Sequence, residues 1–187
     1  MPDPQLQRVQ PSEMTSDLRA AWERSRDIRG DATFIEVSAN HPDLFRWYAN
    51  QFYGEVFHGG LVSRRNKELL RLRLSNIHGC RFCNLGNTRD ALEAGLTQVQ
   101  IDNLAEYENG PFSAEEKAVL RLADEMVLTN PDGQLSPQLY AALKVHFSDA
   151  QIYEMGMVAG ILAGIAKFLF VFDLVEREPS CPFPAKG

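Results

Sequence analysis

Hydrophobic residues recur along most of this chain every three or four positions. That spacing is typical of helices that bury one face and expose the other. The pattern holds nearly throughout the sequence, and only residues 33–37 are ambiguous between a strand and a helical turn. The pattern therefore predicts an all-α protein.

Helix-capping and helix-stopping residues divide this pattern into segments. The predicted helices run from Ser12 or Ser16 to Gly30, from Pro42 to Phe57, from Arg64 to Ile77, from Cys80 to Ala94, and onward from Thr97, Ser113, Pro137 and Ser148. In the second of these helices, apolar residues lie four apart, at Leu44, Tyr48, Phe52 and Val56.

The length and the distribution of apolar residues indicate one main domain. The chain has 187 residues, of which 44% are hydrophobic and 24% charged, the balance of a globular protein. We expect a helical extension over residues 1–30 and a single domain over 31–177. An irregular tail with three prolines is predicted over 178–187.

The last predicted helix is unusually apolar. The stretch from Met155 to Phe172 contains Lys167 as its one charged residue, and Asp173 follows it. Its length first suggests a membrane span, but the lysine, the closing aspartate and its place late in a globular chain favour a buried helix. A membrane helix is the alternative.

Three glycines lie four apart in this last helix, at Gly156, Gly160 and Gly164. Each costs a helix about 1 kcal/mol relative to alanine, so close contact with another helix is expected to offset them. An internal helix pair is the simpler interpretation, and a subunit interface is the other.

The overall charge narrows the possible functions. Nineteen basic and 25 acidic residues give a net charge of −6, which argues against a general nucleic-acid binder. The first 14 residues have no apolar run, so we expect no signal peptide and a cytoplasmic protein. Three cysteines are too few for a disulfide-scaffolded secreted fold.

The strongest chemical signal is a pair of cysteines, Cys80 and Cys83, where one predicted helix stops at Gly79 and the next begins. A helix N-terminus stabilises a thiolate, and Arg81 adds positive charge. Two buried free cysteines are one alternative. A zinc site is another, and its remaining ligands would come from His58, His78 and His146.

Two charged residues on the helix before the pair occupy unusual positions. Glu68 lies at the edge of the apolar face. If this helix and the next fold back on each other, Glu68 could act as a proton acceptor for the thiols. The alternative is that Glu68 is solvated, as glutamates at the edge of an apolar face commonly are. Arg73 falls between Leu69 and Ile77 in the middle of that face. We expect it to form a structural ion pair.

Positive charge is concentrated around the cysteine pair. The basic residues of segment 63–90 are Arg64, Arg65, Lys67, Arg71, Arg73, Arg81 and Arg89, against Glu68 and Asp90 alone. This excess could attract an anionic substrate or tune the thiols. Alternatively, these residues form a solvated face or contact acidic helices.

Residues 67–83, KELLRLRLSNIHGCRFC, together with residues 88–91 and 94–96, resemble the core motif of the carboxymuconolactone decarboxylase and alkylhydroperoxidase D superfamily. The helix from Pro42 and the start of the last helix at 148–152 are also similar to that family. The resemblance implies an AhpD-like all-α bundle whose subunits assemble as trimers or hexamers.

The resemblance also implies roles for individual residues. Cys83 corresponds to the cysteine that attacks a peroxide, Cys80 to the one that resolves it as a disulfide, and Glu68 to the glutamate of a proton relay. The relay histidine is replaced here by Asn87, which cannot shuttle a proton at neutral pH. His78 is a possible substitute, or else it bonds a helix-terminal carbonyl.

Three functions follow from these observations. The first is a thiol peroxidase that acts on a hydroperoxide and is restored by a thiol or protein reductant, without a metal or cofactor. The second is a lyase of the carboxymuconolactone decarboxylase type, which would use Glu68, with or without His78, on a small carboxylate. The third is a non-enzymatic, redox-sensing helical oligomer. We expect the first, with no nucleic-acid or membrane partner.

Overall fold

Helices make up the regular structure of residues 1–183, the part of the chain that the computed structural model describes. The α-helices are α1 (Ser16–Arg29), α2 (Thr33–Ser38), α3 (Pro42–Arg46), α4 (Arg64–His78), α5 (Arg81–Glu93), α6 (Gln98–Asp102), α7 (Ala114–Glu125), α8 (Pro137–Lys144) and α9 (Asp149–Val171). A 3-10 turn spans Pro11–Glu13, and a π-helix spans Trp47–His58. Residues 1–183 contain no strand, and the all-α prediction is confirmed.

Local capping chemistry sets most of the helix ends. The Ser63 side chain accepts a hydrogen bond from the Asn66 N–H at the start of α4. Ser113 and Ser148 form capping boxes at the starts of α7 and α9, as their sequences predict. The ambiguous segment 33–37 is the helix α2, so its interpretation as a strand was wrong.

The predicted apolar stripe of the second helix is wrong in its spacing. Leu44 and Val56 are exposed, whereas Phe52 and Phe57, five residues apart, are buried. The cause is the π-helix, whose backbone bonds run from residue i to i+5, so that side chains five apart share a face. The helix from Pro42 is therefore present but changes its winding after Arg46.

Helix α4 lies at the centre of the fold and packs against α5, α7 and α9. Ten of its 15 residues are buried, including the charged residues Lys67, Glu68 and Arg71. A helix buried on nearly every side has to provide partners for its charges. The partner of Lys67, for example, is Glu154 of α9, at 3.0 Å.

Helix α9 is buried on one face and exposed on the other. Its inner face, which includes Met155, Val158 and Ala159, joins the core around α4 and α7. Its outer face leaves Tyr153 and Met157 exposed. The helix is long and apolar enough to cross a membrane, and 39% of its most apolar 18-residue window is buried. The predicted burial therefore holds for one face only.

The three glycines of α9 lie toward the open side. A Cβ added at Gly156 or Gly164 would meet no atom within 4 Å among residues 1–183, and one at Gly160 would meet only Met126 Cε, at 3.8 Å. The prediction of an internal helix pair at these glycines is therefore wrong. They contact no neighbouring helix of the same chain within the described range.

Both ends of the chain pack on the helices around the cysteine pair. Helix α1 contacts α2 and α5. Residues 178–183 contain no helix or strand, and they lie on the junction of α4 and α5, where the Glu178 N–H donates to the Gly79 carbonyl at 2.8 Å. The rest of the predicted tail, residues 184–187, lies outside the described residues.

Candidate functional site

The two cysteines lie in the tight connection between α4 and α5. Gly79 ends α4 with a φ of 63°, a left-handed conformation that glycine adopts without steric cost. Cys80 then caps α5, and its Sγ accepts a hydrogen bond from the Cys83 N–H at 3.2 Å. A disulfide joins Cys80 and Cys83, whose Cα atoms are 5.2 Å apart. The interpretation as two free buried cysteines is therefore wrong, and Cys181 is the free thiol.

A cavity of about 340 Å³ opens beside this disulfide. Cys80 is fully buried and Cys83 is half-buried, and both contribute to the cavity wall. Apolar side chains from α2, α3, α4 and α9 form much of the lining. Its polar lining includes Arg29, Tyr53, His58, Arg71, Asn87 and Asp90. The volume suits a small organic molecule.

His78 lines the cavity but is held by the backbone. Its Nε2 accepts a hydrogen bond from the Leu128 N–H at 3.0 Å, so a neutral ring carries its proton on Nδ1. Burial lowers the pKa of His78 to about 4. Protonation at Nε2 would break this bond, so His78 is poorly placed to accept a proton there.

Glu68 is fully buried, contrary to the expectation of a solvated edge residue. Its carboxylate accepts hydrogen bonds from Arg71 and, at 3.4 Å, from Arg64. Burial raises the pKa of Glu68, although the charge of Arg71 opposes this change. Glu68 is not among the residues that line the cavity.

The pairing of α4 with α5 determines how far Glu68 lies from the sulfurs. The helices fold back on each other as expected, with Asn76 beside Asn84 and Arg71 donating to Asp90 at 2.8 Å. Asp90 follows Cys83 by seven residues, about 10 Å along the helix axis. Glu68 therefore lies at the far end of this helix pair, and a role in proton transfer, which stays a prediction, would act through Arg71.

Arg71 connects the buried carboxylates with the cavity. The same nitrogen, Nη2, donates to Glu68 and to Asp90. The guanidinium lies over the rings of Phe57, at 4.8 Å, and Tyr53, at 5.7 Å. Both rings belong to the π-helix, so this irregular segment helps to position the charged group at the cavity wall.

Asn87 lies one helical turn after Cys83 in α5, on the same side of the helix. It is buried and lines the cavity, and its side-chain amide makes no hydrogen bond to any residue in the range 1–183. The residue at the relay position is therefore close to the sulfur pair and open to a bound molecule.

The seven basic residues of segment 63–90 all pair with carboxylates, which supports contact with acidic groups as their role. The pairs are Arg64–Glu68, Arg65–Glu116, Lys67–Glu154, Arg71–Asp90, Arg73–Asp124, Arg81–Glu176 and Arg89–Glu93. The predicted structural ion pair of Arg73 is confirmed, at 2.7 Å from Asp124.

Sequence reasoning missed Arg29 and Tyr53 on the cavity wall, and it named His58 only as a possible zinc ligand. Arg29 is the last residue of α1. Basic residues are common at the C-terminal end of a helix, so its position gives no sign of a functional role. The two others belong to the π-helix, whose side chains cannot be assigned to faces with an α-helical period. As for metals, residues 1–183 contain no group of three or more His, Cys, Asp or Glu side chains that could hold an ion.

The family model described as the carboxymuconolactone decarboxylase family matches residues 42–125, which include both cysteines, Glu68 and Asn87. This match, over 84 of the 187 residues, supports a similarity to the carboxymuconolactone decarboxylase and alkylhydroperoxidase D-like superfamily. Arg29 lies outside the matched range. The chain is 31% identical over 98 residues to the uncharacterized protein YdfG of Bacillus subtilis. That stretch covers 52% of this chain and 66% of YdfG, slightly less than two thirds of its length.

Two solved structures share the fold of this chain. One is a protein of unknown function from Agrobacterium tumefaciens, described as a candidate antioxidant defence protein AhpD. It has a TM-score of 0.64 and 22% identity over 76% of this chain and 94% of its own. The other is a peroxidase-related protein with an alkylhydroperoxidase AhpD core, from Ralstonia eutropha. Its TM-score is 0.73 at 14% identity, over 96% of this chain and 94% of its own. These similarities confirm the AhpD-like helical fold.

Proposed function

We propose that this protein is a thiol-based peroxidase-type oxidoreductase in which Cys83 attacks a hydroperoxide and Cys80 resolves the product. The observation that carries the proposal is the Cys80–Cys83 disulfide on the wall of a cavity that can hold a small molecule. Cys83 is the more exposed of the two and lies in the first turn of α5, where the helix dipole favours a thiolate.

The reaction has three steps. The Cys83 thiolate attacks the outer peroxide oxygen, the O–O bond breaks, and the alkoxide leaves with a proton as an alcohol while Cys83 becomes a sulfenic acid. The Cys80 thiol then displaces water from that sulfenic acid and forms the disulfide. A dithiol or protein reductant gives two electrons and two protons to restore both thiols.

Proton delivery to the alkoxide is the weak step of this site. Asn87 can hold the peroxide by hydrogen bonds but carries no proton that it can give up. His78 Nε2 is bonded to the backbone, and Glu68 reaches the cavity only through Arg71. We therefore expect slow turnover, with water or a neighbouring acid as the proton donor.

The test compares Cys83→Ser, Cys80→Ser and the control Cys181→Ser, each reduced and then treated with an organic hydroperoxide. We expect the wild type to lose two free thiols and keep one, Cys83→Ser to lose activity, and Cys80→Ser to accumulate a sulfenic acid. Cys181→Ser should behave as the wild type does. Unreactive Cys80 and Cys83 in the wild type, with no turnover under any common dithiol, would contradict the proposal.

Lyase chemistry is the second candidate because the matched family model describes a decarboxylase. It would use Glu68, whose pKa is raised by burial, and would not need the sulfurs. A Cys80→Ser, Cys83→Ser double variant separates the two functions. Decarboxylation of a small lactone carboxylate that persists in this variant and disappears in Glu68→Gln would favour the lyase.

The proposal includes partners and a location. A small thiol or a thiol-containing protein would supply the electrons, and the cytoplasm is the reducing compartment in which such a cycle runs. We also propose that the chain forms a homo-oligomer, because the outer face of α9 is apolar and its glycines leave room for another helix.

A further inference from the structure

We propose that Arg29 anchors a carboxylate group of the molecule that enters the cavity, so that the substrate is a small carboxylic acid with an apolar body. The inference rests on the proposed function in one respect: if the site is a peroxidase, the substrate is an organic hydroperoxide that carries a carboxylate. The binding of the carboxylate itself does not depend on the sulfur chemistry.

Arg29 is a cation on the cavity wall without a salt-bridge partner among the described residues. Its Nε is buried and has no hydrogen-bond partner in the described chain, and its guanidinium makes no salt bridge to any residue from 1 to 183. Burial lowers the pKa of Arg29, which reflects the cost of holding this charge away from water. Arginine nevertheless stays protonated at neutral pH, so a bound anion would offset the cost of burying its charge.

The wall next to the cysteines is shaped to receive this guanidinium. It lies over the ring of Phe82, at 4.8 Å, and Phe82 directly precedes Cys83. Gly86 follows Phe82 by one helical turn, and a Cβ at Gly86 would collide with the Arg29 guanidinium. Because α5 has no side chain at this point, the planar group can lie against the helix that carries the reactive sulfur.

The other charges around the cavity do not neutralise Arg29. Asp90 is the only carboxylate that lines it in the described chain. Its charge opposes the lowering of the Arg29 pKa, but it makes no salt bridge to Arg29 and accepts a hydrogen bond from Arg71. Arg24 adds positive charge at the wall, Arg71 is already paired with Glu68 and Asp90, and His78 stays neutral because burial lowers its pKa to about 4. The cavity is thus electropositive around Arg29, which favours an anion over a neutral ligand.

The shape of the anion follows from the arginine and from the remaining wall. A guanidinium matches a carboxylate through two parallel N–H···O bonds. The remaining wall contains apolar side chains such as Phe34, Leu162 and Leu169. A ligand that fits both the guanidinium and the apolar wall is a carboxylate on a short hydrocarbon chain or a ring. A cavity of about 340 Å³ accommodates such a molecule.

The experiment measures binding to the full-length, disulfide-bonded protein by calorimetry, without peroxide or reductant. The probes are benzoate against benzamide and hexanoate against hexanamide, pairs that differ in charge but hardly in shape. We expect each carboxylate to bind the wild type at least about tenfold more tightly than its amide, and Arg29→Gln to abolish this preference.

Two further variants test the geometry. Gly86→Ala keeps the charge but displaces the guanidinium, so it should also weaken benzoate binding, by severalfold. Arg19→Gln is the matched control, because it removes the same charge from an exposed position of α1 away from this cavity and should leave binding unchanged. A circular-dichroism melting curve for each variant checks that it folds.

The proposal is overturned if neither carboxylate is preferred over its amide by the wild type, or if Arg29→Gln binds carboxylates as the wild type does. An equal loss in Arg19→Gln would show a long-range effect of charge and would also overturn it. These outcomes are independent of peroxide turnover: carboxylate binding without thiol oxidation would contradict the peroxidase and leave the role of Arg29 intact.

Discussion

At the scale of single residues, burial sets the protonation of the groups around the cysteine pair. His78 has 1% of its surface exposed and faces no carboxylate that could stabilise a positive charge, so its ring is held neutral. The hydrogen bond from Leu128 to Nε2 joins the end of α4 to the loop after α7. His78 therefore contributes to the fold through its neutral form.

This arrangement predicts a loss of stability in acid. The unfolded chain takes up a proton at residue 78 near pH 6.5, whereas the folded protein does so only near pH 4. The contribution is therefore complete above pH 6.5 and is lost as the pH falls toward 4. Urea unfolding of the wild type and His78→Gln should show their difference in free energy of unfolding shrinking by about 2.5 kcal/mol between about pH 7.5 and about pH 4.5.

Glutamine suits this comparison because its side-chain oxygen can accept the Leu128 N–H bond but does not titrate. His146→Gln is the matched control, since His146 is exposed and its loss should leave the difference from the wild type the same at both pH values. A constant difference between the wild type and His78→Gln across this range would show that His78 is not the buried, neutral group described here.

Residues whose role depends on local spacing could be predicted from the sequence, and those whose role depends on distant contacts could not. The cysteine pair follows from its short spacing at a predicted helix junction, and the ion pair of Arg73 follows from helix periodicity. The partner of His78 is 50 residues away, and Arg29 reaches the cavity from the N-terminal helix. Neither contact leaves a periodic signal in the chain.

At the scale of elements, the connection between α4 and α5 is the most constrained part of the site. Gly79 needs its left-handed φ to turn the chain, and the tail packs directly against it. A Cβ at Gly79 would lie 2.5 Å from Cys181 Cα and 3.0 Å from Cys181 N. The Cys181 thiol also donates to the His78 carbonyl at 3.1 Å. The tail thus covers the outer side of the turn that carries the disulfide.

Gly79→Ala should therefore loosen the tail as well as strain the turn. The left-handed conformation costs alanine about 1 kcal/mol, and the contact with the Cys181 backbone adds to this. We expect a loss of about 2 kcal/mol or more in unfolding free energy and a severalfold faster reaction of Cys181 with a maleimide in the native, disulfide-bonded protein. Denaturant titration and timed alkylation measure the two effects.

Gly30 provides a matched control, because its φ is 73° and a Cβ there would meet nothing within 4 Å in the described structure. Gly30→Ala should cost about 1 kcal/mol from strain alone and leave Cys181 as slow to react as in the wild type. If Gly79→Ala and Gly30→Ala behave alike in both measurements, the tail does not depend on contact with the turn.

Helix ends were predictable because capping is local, but the winding of a helix was not. Ser63, Ser113 and Ser148 each accept a bond within three residues, and a short stretch of sequence encodes that. The π-helix at Trp47–His58 has apolar residues that also fit an α-helical stripe. Its i+5 pairing places Phe52 and Phe57 in the core and Tyr53 beside Arg71, and those contacts are long-range.

At the scale of the whole molecule, the outer face of α9 stands out as an apolar surface without a covering element in residues 1–183. Tyr153, Met157 and Val171 are exposed along it, and Gly156 and Gly164 have open space beside them. Glycines on a helix face that is exposed to water would lower the stability of the helix, with no packing contact to offset the loss. A second copy of the chain, packed closely at these glycines, would recover that cost by burying the apolar side chains.

This reasoning predicts a homo-oligomer that larger side chains at the glycines disrupt. In a single chain, a Cβ added at Gly156 or Gly164 meets no described neighbour, and leucine favours the helix by roughly 0.7 kcal/mol at each position. In an oligomer, the leucines of a Gly156→Leu, Gly164→Leu double variant would hold the partner helices apart. We expect light scattering after gel filtration to show an oligomer for the wild type and smaller species for the double variant, with unchanged helix content. Ala141→Leu, at an exposed site of α8, should assemble as the wild type does. A monomeric wild type, or a double variant that keeps its full mass, would mean that α9 has another role.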